Sequence, residues 1–232
     1  MESLKELRKI CQVKSAPEHI SMRFWRTFSI YFTKIFIILG ITPNIINWAG
    51  FALGLAGGIL FLKQKFLIGS ILYIFVYIFD DVDGELARYY KKASKYGWWQ
   101  DTMVGHLLYP YFFLMLGLGI FFQTENYLYL LLGAIAAIAK MIERSVPEVR
   151  GITDNDKLLK TKDASMKKGF LGDVKEWLAH FAKTVFIYPL AVIFASLGNI
   201  EYILWIYVPY LTLFALAKVV LTGWRVYIFD KK

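Results

Sequence analysis

The sequence predicts an all-α integral membrane protein, with six transmembrane helices following an N-terminal interfacial amphipathic helix. Three observations lead there. Hydrophobic residues make up 57% of the 232 and charged ones only 19%, where a soluble domain needs roughly 25% charged residues to cover its surface. The charges are clustered, leaving six apolar stretches close to the roughly 20 residues that cross a bilayer. The basic residues also fall almost entirely on one side of those stretches. Composition excludes other classes. The single cysteine, Cys11, rules out a disulfide framework and a cysteine-built zinc site. A net charge of +9 belongs, in a membrane chain, to basic loops, and no nucleic-acid partner is expected. The first 20 residues are charged and lack an apolar run, so no cleavable leader is expected.

Residues 1–40 read as an N-terminal arm and interfacial helix. Within 20–39, Arg23, Arg26 and Lys34 stand among Phe, Trp, Tyr and Ile, the pattern of a helix lying in the interface plane. The membrane domain follows over 41–225, with spans at 43–62, 66–87, 98–122, 126–143, 181–198 and 202–222. Pro43 after Thr42 sets the first start, since proline suits the first turn of a helix. Tyr109-Pro110 marks a kink in the third span. Short polar breaks at 63–65, 88–95, 123–126 and 198–201 separate neighbours. The stretch from Arg144 to His180, with 8 basic and 6 acidic residues, reads as a solvated connection, and 226–232 as a tail. Six spans put both termini on one side. That side, with the second and fourth loops and adjoining helix ends, holds 25 of the 27 Lys and Arg; only Lys63 and Lys65 lie opposite. The positive-inside rule makes it cytoplasmic.

Acidic residues at membrane depth are costly and mark function. The second span ends Phe79-Asp80-Asp81-Val82-Asp83-Gly84-Glu85-Leu86-Ala87-Arg88. Asp80, Asp83 with Gly84, and Ala87 with Arg88 recur at three- and four-residue steps, so they share a helical face. Two carboxylates a turn apart, then small residues, then arginine suit a divalent ion bound to phosphate. Mg²⁺ takes carboxylate and phosphate oxygens, small residues let a ligand approach the backbone, and a guanidinium grips phosphate bidentately. In the third span Gly97, Asp101 and Gly105 form another four-residue stripe. The short intervening loop makes the two spans antiparallel neighbours and brings Asp101 toward Asp80 and Asp83. Asp81 and Glu85 lie off that face, and Glu85 is expected to cap a helix or pair with basic loop residues.

The run Asp80-x2-Asp83-Gly84-x2-Ala87-Arg88-x8-Gly97-x3-Asp101 resembles the signature of the CDP-alcohol phosphotransferases, integral membrane enzymes of phospholipid synthesis. Seven of its eight fixed positions match. The resemblance implies attack of an acceptor hydroxyl on the β-phosphorus of a CDP-linked alcohol, often CDP-diacylglycerol, with release of CMP. It further implies Asp80, Asp83 and Asp101 as ligands of Mg²⁺ or Mn²⁺ in a two-metal site. Gly84, Ala87 and Arg88 would line the CDP site, the active site would face the cytoplasm, and the protein would be a homodimer among membrane lipids.

The eighth position departs. The family carries a fourth aspartate there, a metal ligand and the acceptor's base; here it is Gly105. Three readings stay open: an impaired relative that binds CDP-alcohol and metal without efficient turnover, a working transferase with a relocated base, and a lipid-binding or scaffolding role. His106 is the substitute base to consider, but it stands about 140° from Asp101 around the helix where Gly105 stands about 40° away. Its simpler role is a hydrogen bond between helices. Basic residues near the inner surface, Lys140 and Arg144 foremost, with Lys183, Lys218 and Arg225, would hold an acceptor phosphate if they converge, or else snorkel and set topology. A transporter fits less well, because the carboxylates gather at one membrane face and not at the midplane.

Overall fold

A computed structural model describes residues 2–12, 20–153, 181 and 183–230, and the described residues contain only helices and their connections. The elements are α1 (Leu4–Cys11), α2 (Ile20–Ile38), α3 (Pro43–Leu62), α4 (Phe66–Tyr89), α5 (Lys95–Thr124), α6 (Tyr127–Thr153), α7 (Thr184–Ser196) and α8 (Tyr202–Asp230). The predicted breaks fall where helices end. Each turn needs a left-handed residue or a cap: Gln64 (φ 58°), Lys91 (φ 52°), Glu125 (φ 56°) and Gly198 (φ 77°) supply it between successive helices. Pro43 occupies the first turn of α3, and Ser94 caps α5 by accepting from the Gly97 amide at 3.0 Å.

Among the described residues, three helices are long and apolar enough to cross a membrane: α3, α5 and the Tyr202–Ile228 part of α8. α7 has only 13 residues, about 20 Å of helix at 1.5 Å per residue. The polar connection predicted from Arg144 is corrected at its start, because α6 continues as helix to Thr153. Charged residues there end the membrane-like composition, not the helix. The remainder of that connection lies outside the described residues. Likewise α8 runs on to Asp230 through most of the predicted tail.

α3 packs on α4 and α5, α5 on α6, α6 on α8, and α4 on both α7 and α2. Beneath the motif, Phe61, Tyr73, Phe112 and Tyr188 form a fully buried aromatic cluster from α3, α4, α5 and α7. The Tyr73 and Phe112 rings meet edge to face with centroids 4.8 Å apart, a geometry worth about 0.5–1.5 kcal/mol beyond burial. α5 and α6 cross at Gly117 and Gly133, where a Cβ on Gly117 would lie 2.8 Å from the Gly133 Cα. Only glycine allows that approach, the usual device for helix contact in lipid. Side chains such as Leu213 and Val220 on α8 are more than two-thirds exposed, apolar surface that membrane covers more readily than water.

Candidate functional site

The C-terminal part of the motif on α4 and its continuation on α5 are assembled with α3 into one site. A cavity of about 200 Å³ is lined by Pro43, Asn44 and Asn47 of α3, by Asp83, Gly84 and Ala87 of α4, and by Gly97, Gln100 and Asp101 of α5, with the Lys92–Ser94 turn closing one end. Behind it a cavity of about 20 Å³ is lined in part by Asn47, Asp80, Asp83, Gly105 and Tyr109. Asn47 and Asp83 belong to both. The Asp80 and Asp101 side chains are in hydrogen-bond contact, and Asp83 lies within electrostatic reach of both. Two carboxyl groups in contact need a proton or a cation between them. Asn47 Nδ2 donates to Asp83 Oδ2 at 2.6 Å and so fixes that carboxylate.

The donor set fits a divalent cation in kind. Asn47 Oδ1 and Gln100 Oε1 are buried acceptor atoms without a hydrogen-bond partner beside the carboxylates. Oxygen-only donors of this type are what Mg²⁺ and Mn²⁺ take. Among the described residues, no three His, Cys, Asp or Glu side chains already converge as a closed metal cluster.

With the motif, its cavity and its carboxylates in place, the sequence profile of the CDP-alcohol phosphatidyltransferases matches residues 40–159, just over half of the chain. The chain belongs to that family. No curated protein matches in sequence. The fold is similar to that of Mycobacterium tuberculosis phosphatidylinositol phosphate synthase, solved with CDP-DAG bound, at a TM-score of 0.57 and 16% identity over 90% of this chain and 92% of that one. The profile spans the motif and the helices around it, while the structural likeness extends over most of the fold.

Against this CDP-alcohol phosphatidyltransferase frame the remaining predicted residues take different places. Gly84 and Ala87 line the larger cavity, and Arg88 does not. The Arg88 guanidinium folds back toward Gly84, where an added Cβ would lie 3.3 Å from its Nη1, and its Nε donates to the Cys11 carbonyl at the end of α1. Glu85 is corrected. It is fully buried and accepts from Ser29 Oγ (2.7 Å), Thr33 Oγ1 (2.5 Å) and Gln12 Nε2 (2.7 Å), not from basic loop residues. It therefore fastens α2 and the residue after α1 to the motif helix.

Lys140 is buried and ion-paired to Glu143 at 3.0 Å, and Glu143 also takes Lys218 at 2.5 Å, tying α6 to α8. Arg144 turns the other way. Its guanidinium stacks 4.6 Å from the Tyr109 ring centroid and lies against Gly105. His106 Nδ1 sits 2.8 Å from the Thr102 carbonyl and 3.3 Å from Arg144 Nε. In the shorter contact Nδ1–H donates to the Thr102 carbonyl, which leaves that nitrogen no lone pair for Arg144. His106 Nδ1 thus braces its own helix turn, with Arg144 of α6 beside it. Sequence reasoning passed over Asn47, Gln100 and Glu143, and gave Tyr109 no part beyond a kink with Pro110. Asn47 had a signal, since it stands one turn after Asn44 in an otherwise apolar span.

Proposed function

We propose that this protein transfers a substituted phosphate from a CDP-alcohol, with CDP-diacylglycerol as the leading donor, to a hydroxylated acceptor and releases CMP. The observation that carries the reading is the coincidence of motif and cavity: Asp83, Gly84, Ala87, Gly97 and Asp101 line one space of about 200 Å³. Family membership and a fold neighbour solved with CDP-DAG support the donor class. In the step, the acceptor oxygen bonds to phosphorus as the phosphorus–oxygen bond to CMP breaks, and the acceptor's proton passes to solvent.

Asp80, Asp83 and Asp101 would hold Mg²⁺ or Mn²⁺, which when bound neutralises the diphosphate and polarises the reacting phosphorus. Asn47 orients Asp83 for that task. Gly84 and Ala87 leave the α4 backbone open to the nucleotide. Gln100 Nε2 donates to the Asn44 carbonyl at 3.1 Å and so keeps α3 and α5 at the spacing of the cavity mouth.

Gly105 favours a second reading, in which CDP-alcohol and metal bind but turnover is poor, because no side chain there can take the acceptor's proton. The deciding experiment is CMP release from CDP-diacylglycerol by purified protein with Mg²⁺ over a panel of acceptors, with Gly105→Asp and Asp101→Asn in parallel. Turnover by the natural chain that Asp101→Asn abolishes supports the transferase. Turnover only after Gly105→Asp supports the impaired relative. Failure to bind CDP-diacylglycerol at all would sink both.

The organisation that accompanies this function is an arm and interfacial helix over 1–40, six spans within 41–225, and a site open to the cytoplasm. Its support is the one-sided distribution of Lys and Arg.

A further inference from the structure

Gly105 and Arg144 form a complementary pair. α5 and α6 pack against each other and bring the two residues together. A Cβ built on Gly105 would lie 2.1 Å from Arg144 Nη2, 2.5 Å from Cζ and 3.0 Å from Nη1. The guanidinium therefore fills the volume in which any side chain at 105 would begin. It is held there by its 4.6 Å stacking on Tyr109. Tyr109 is itself within electrostatic reach of Asp80, Asp101 and Arg144. Lys140, one turn earlier on α6, is tied to Glu143, so Arg144 is the α6 cation that lies against Gly105. Where related enzymes place a carboxylate, this chain has put a cation.

Charge counting gives that exchange a meaning. Four carboxylates balance two divalent ions. Three carboxylates balance one divalent ion and one guanidinium. We propose that Arg144 takes the place of the second metal, so that this site holds a single divalent ion and grips the diphosphate between that ion and the guanidinium fork. A guanidinium suits the substitution because it is charged at every working pH and offers two parallel donors to two phosphate oxygens. Gly105 is then not merely a lost aspartate, because its missing side chain is the room that Arg144 needs.

The proposal rests on the reading of the motif as a metal and CDP-alcohol site, and its test separates the two. The full chain in lipid nanodiscs is titrated with Mn²⁺ in the presence of CDP, counting bound ions by electron paramagnetic resonance and measuring CDP affinity by calorimetry. The natural chain binds one Mn²⁺. Arg144→Gln weakens CDP binding by about tenfold or more, the scale of a lost charged hydrogen bond, while Mn²⁺ alone binds no more weakly. Arg144→Lys falls between. Gly105→Ala adds no charge, and the three atoms nearest its Cβ all belong to the movable end of Arg144, so the variant folds, yet it weakens CDP binding as Arg144→Gln does. The double variant is no weaker than either single one, as for residues acting together. Two Mn²⁺ per natural chain, or a silent Gly105→Ala, overturns the proposal and leaves the metal-site reading intact. Absence of any bound Mn²⁺ overturns both.

Discussion

Glu85 sits one residue from the cavity-lining Gly84, yet its chemistry is structural. A fully buried carboxylate survives in the folded state only when its oxygens are satisfied, and Ser29, Thr33 and Gln12 do this. Glu85→Leu strands three donors, each costing about 1–3 kcal/mol when buried unpaired. It is expected to lower Tm by well over 5 °C in a thermal melt of the detergent-solubilised protein, whereas Glu85→Gln, which keeps an acceptor oxygen, should recover a part of that. Equal melts for the natural chain and Glu85→Leu would show that the contact holds nothing together. Asn47 is the converse case, a neutral residue that holds a motif carboxylate at the cavity. Removing the donor that fixes Asp83 should cut Mn²⁺ affinity roughly 10–100-fold, as for other groups that orient metal ligands. A calorimetric titration of Asn47→Ala tests this, with unaltered affinity as the refuting result. At this scale the sequence showed the site only where it is local. Asp80, Asp83, Gly84 and Ala87 share a face by helical spacing alone, and Asp101 follows through a short loop. Asn47 and the partners of Glu85 stand 36 and 52 to 73 residues away along the chain. No periodicity connects them, and Arg144 against Gly105 is equally non-local.

Helices were legible to the extent that hydropathy marks membrane and turn residues mark breaks. The ends of α3, α4, α5 and α7 lie within three residues of their predicted places, because Pro43, the Lys63–Lys65 turn and the Asn199 break are local signals. α6 and α8 outran prediction because a helix leaving the bilayer loses its apolar composition but keeps its backbone hydrogen bonds. The short α1 was hidden inside a charged arm. It is capped by a Ser3–Glu6 box, with the hydrogen bonds from Ser3 holding the exposed Glu6 carboxyl below its usual range. Leu7 and Cys11 are buried against α2 and α4. Burial, with the nearby Glu85 charge, pushes the Cys11 thiol up to about 11 from an ordinary 9.0. Only the thiolate reacts with alkylating agents. Alkylation of Cys11 should therefore be slow at pH 8 and rise with a midpoint near 11. Undocking α1 by Leu7→Asp should return the midpoint to about 9. The sign for stability agrees: between pH 9 and 11 the undocked thiol loses a proton that the docked one keeps, so docking weakens as pH rises. A midpoint near 9 in the natural chain would mean α1 is not held on α4.

For the molecule as a whole, the decisive quantity is how many times the chain crosses the bilayer. Among the described residues, three helices qualify by length and composition. α4 carries the motif acids at one end, α6 is polar past Glu143, and α7 is short. The proposed six crossings require α7 to serve as a span although about 20 Å of helix must cover a hydrocarbon core near 30 Å. Two features make that reasonable: Phe181 is also helical, and the buried Val185, Ile187, Tyr188 and Ala191 pack α7 inside the bundle. There, protein rather than lipid surrounds much of its length. Cys11 is the sole cysteine, so Cys11→Ser gives a clean background for single cysteines probed with a membrane-impermeant maleimide in intact cells. Cysteines replacing Lys63, Thr124 and Asn199 should label from outside, and one replacing Lys95 only after the membrane is opened. The Asn199 site is the sensitive one. If it labels only with Lys95, α7 does not cross, the chain has an odd or smaller number of spans, and the C-terminal end of α8 no longer shares a side with the motif. If it labels with Lys63, the short helix is a span whose polar ends are reached by thinning the local bilayer, which costs fractions of a kcal/mol per ångström of mismatch. The motif end of α4 then lies on the side that carries nearly all the basic residues, where a soluble cytidine nucleotide can leave.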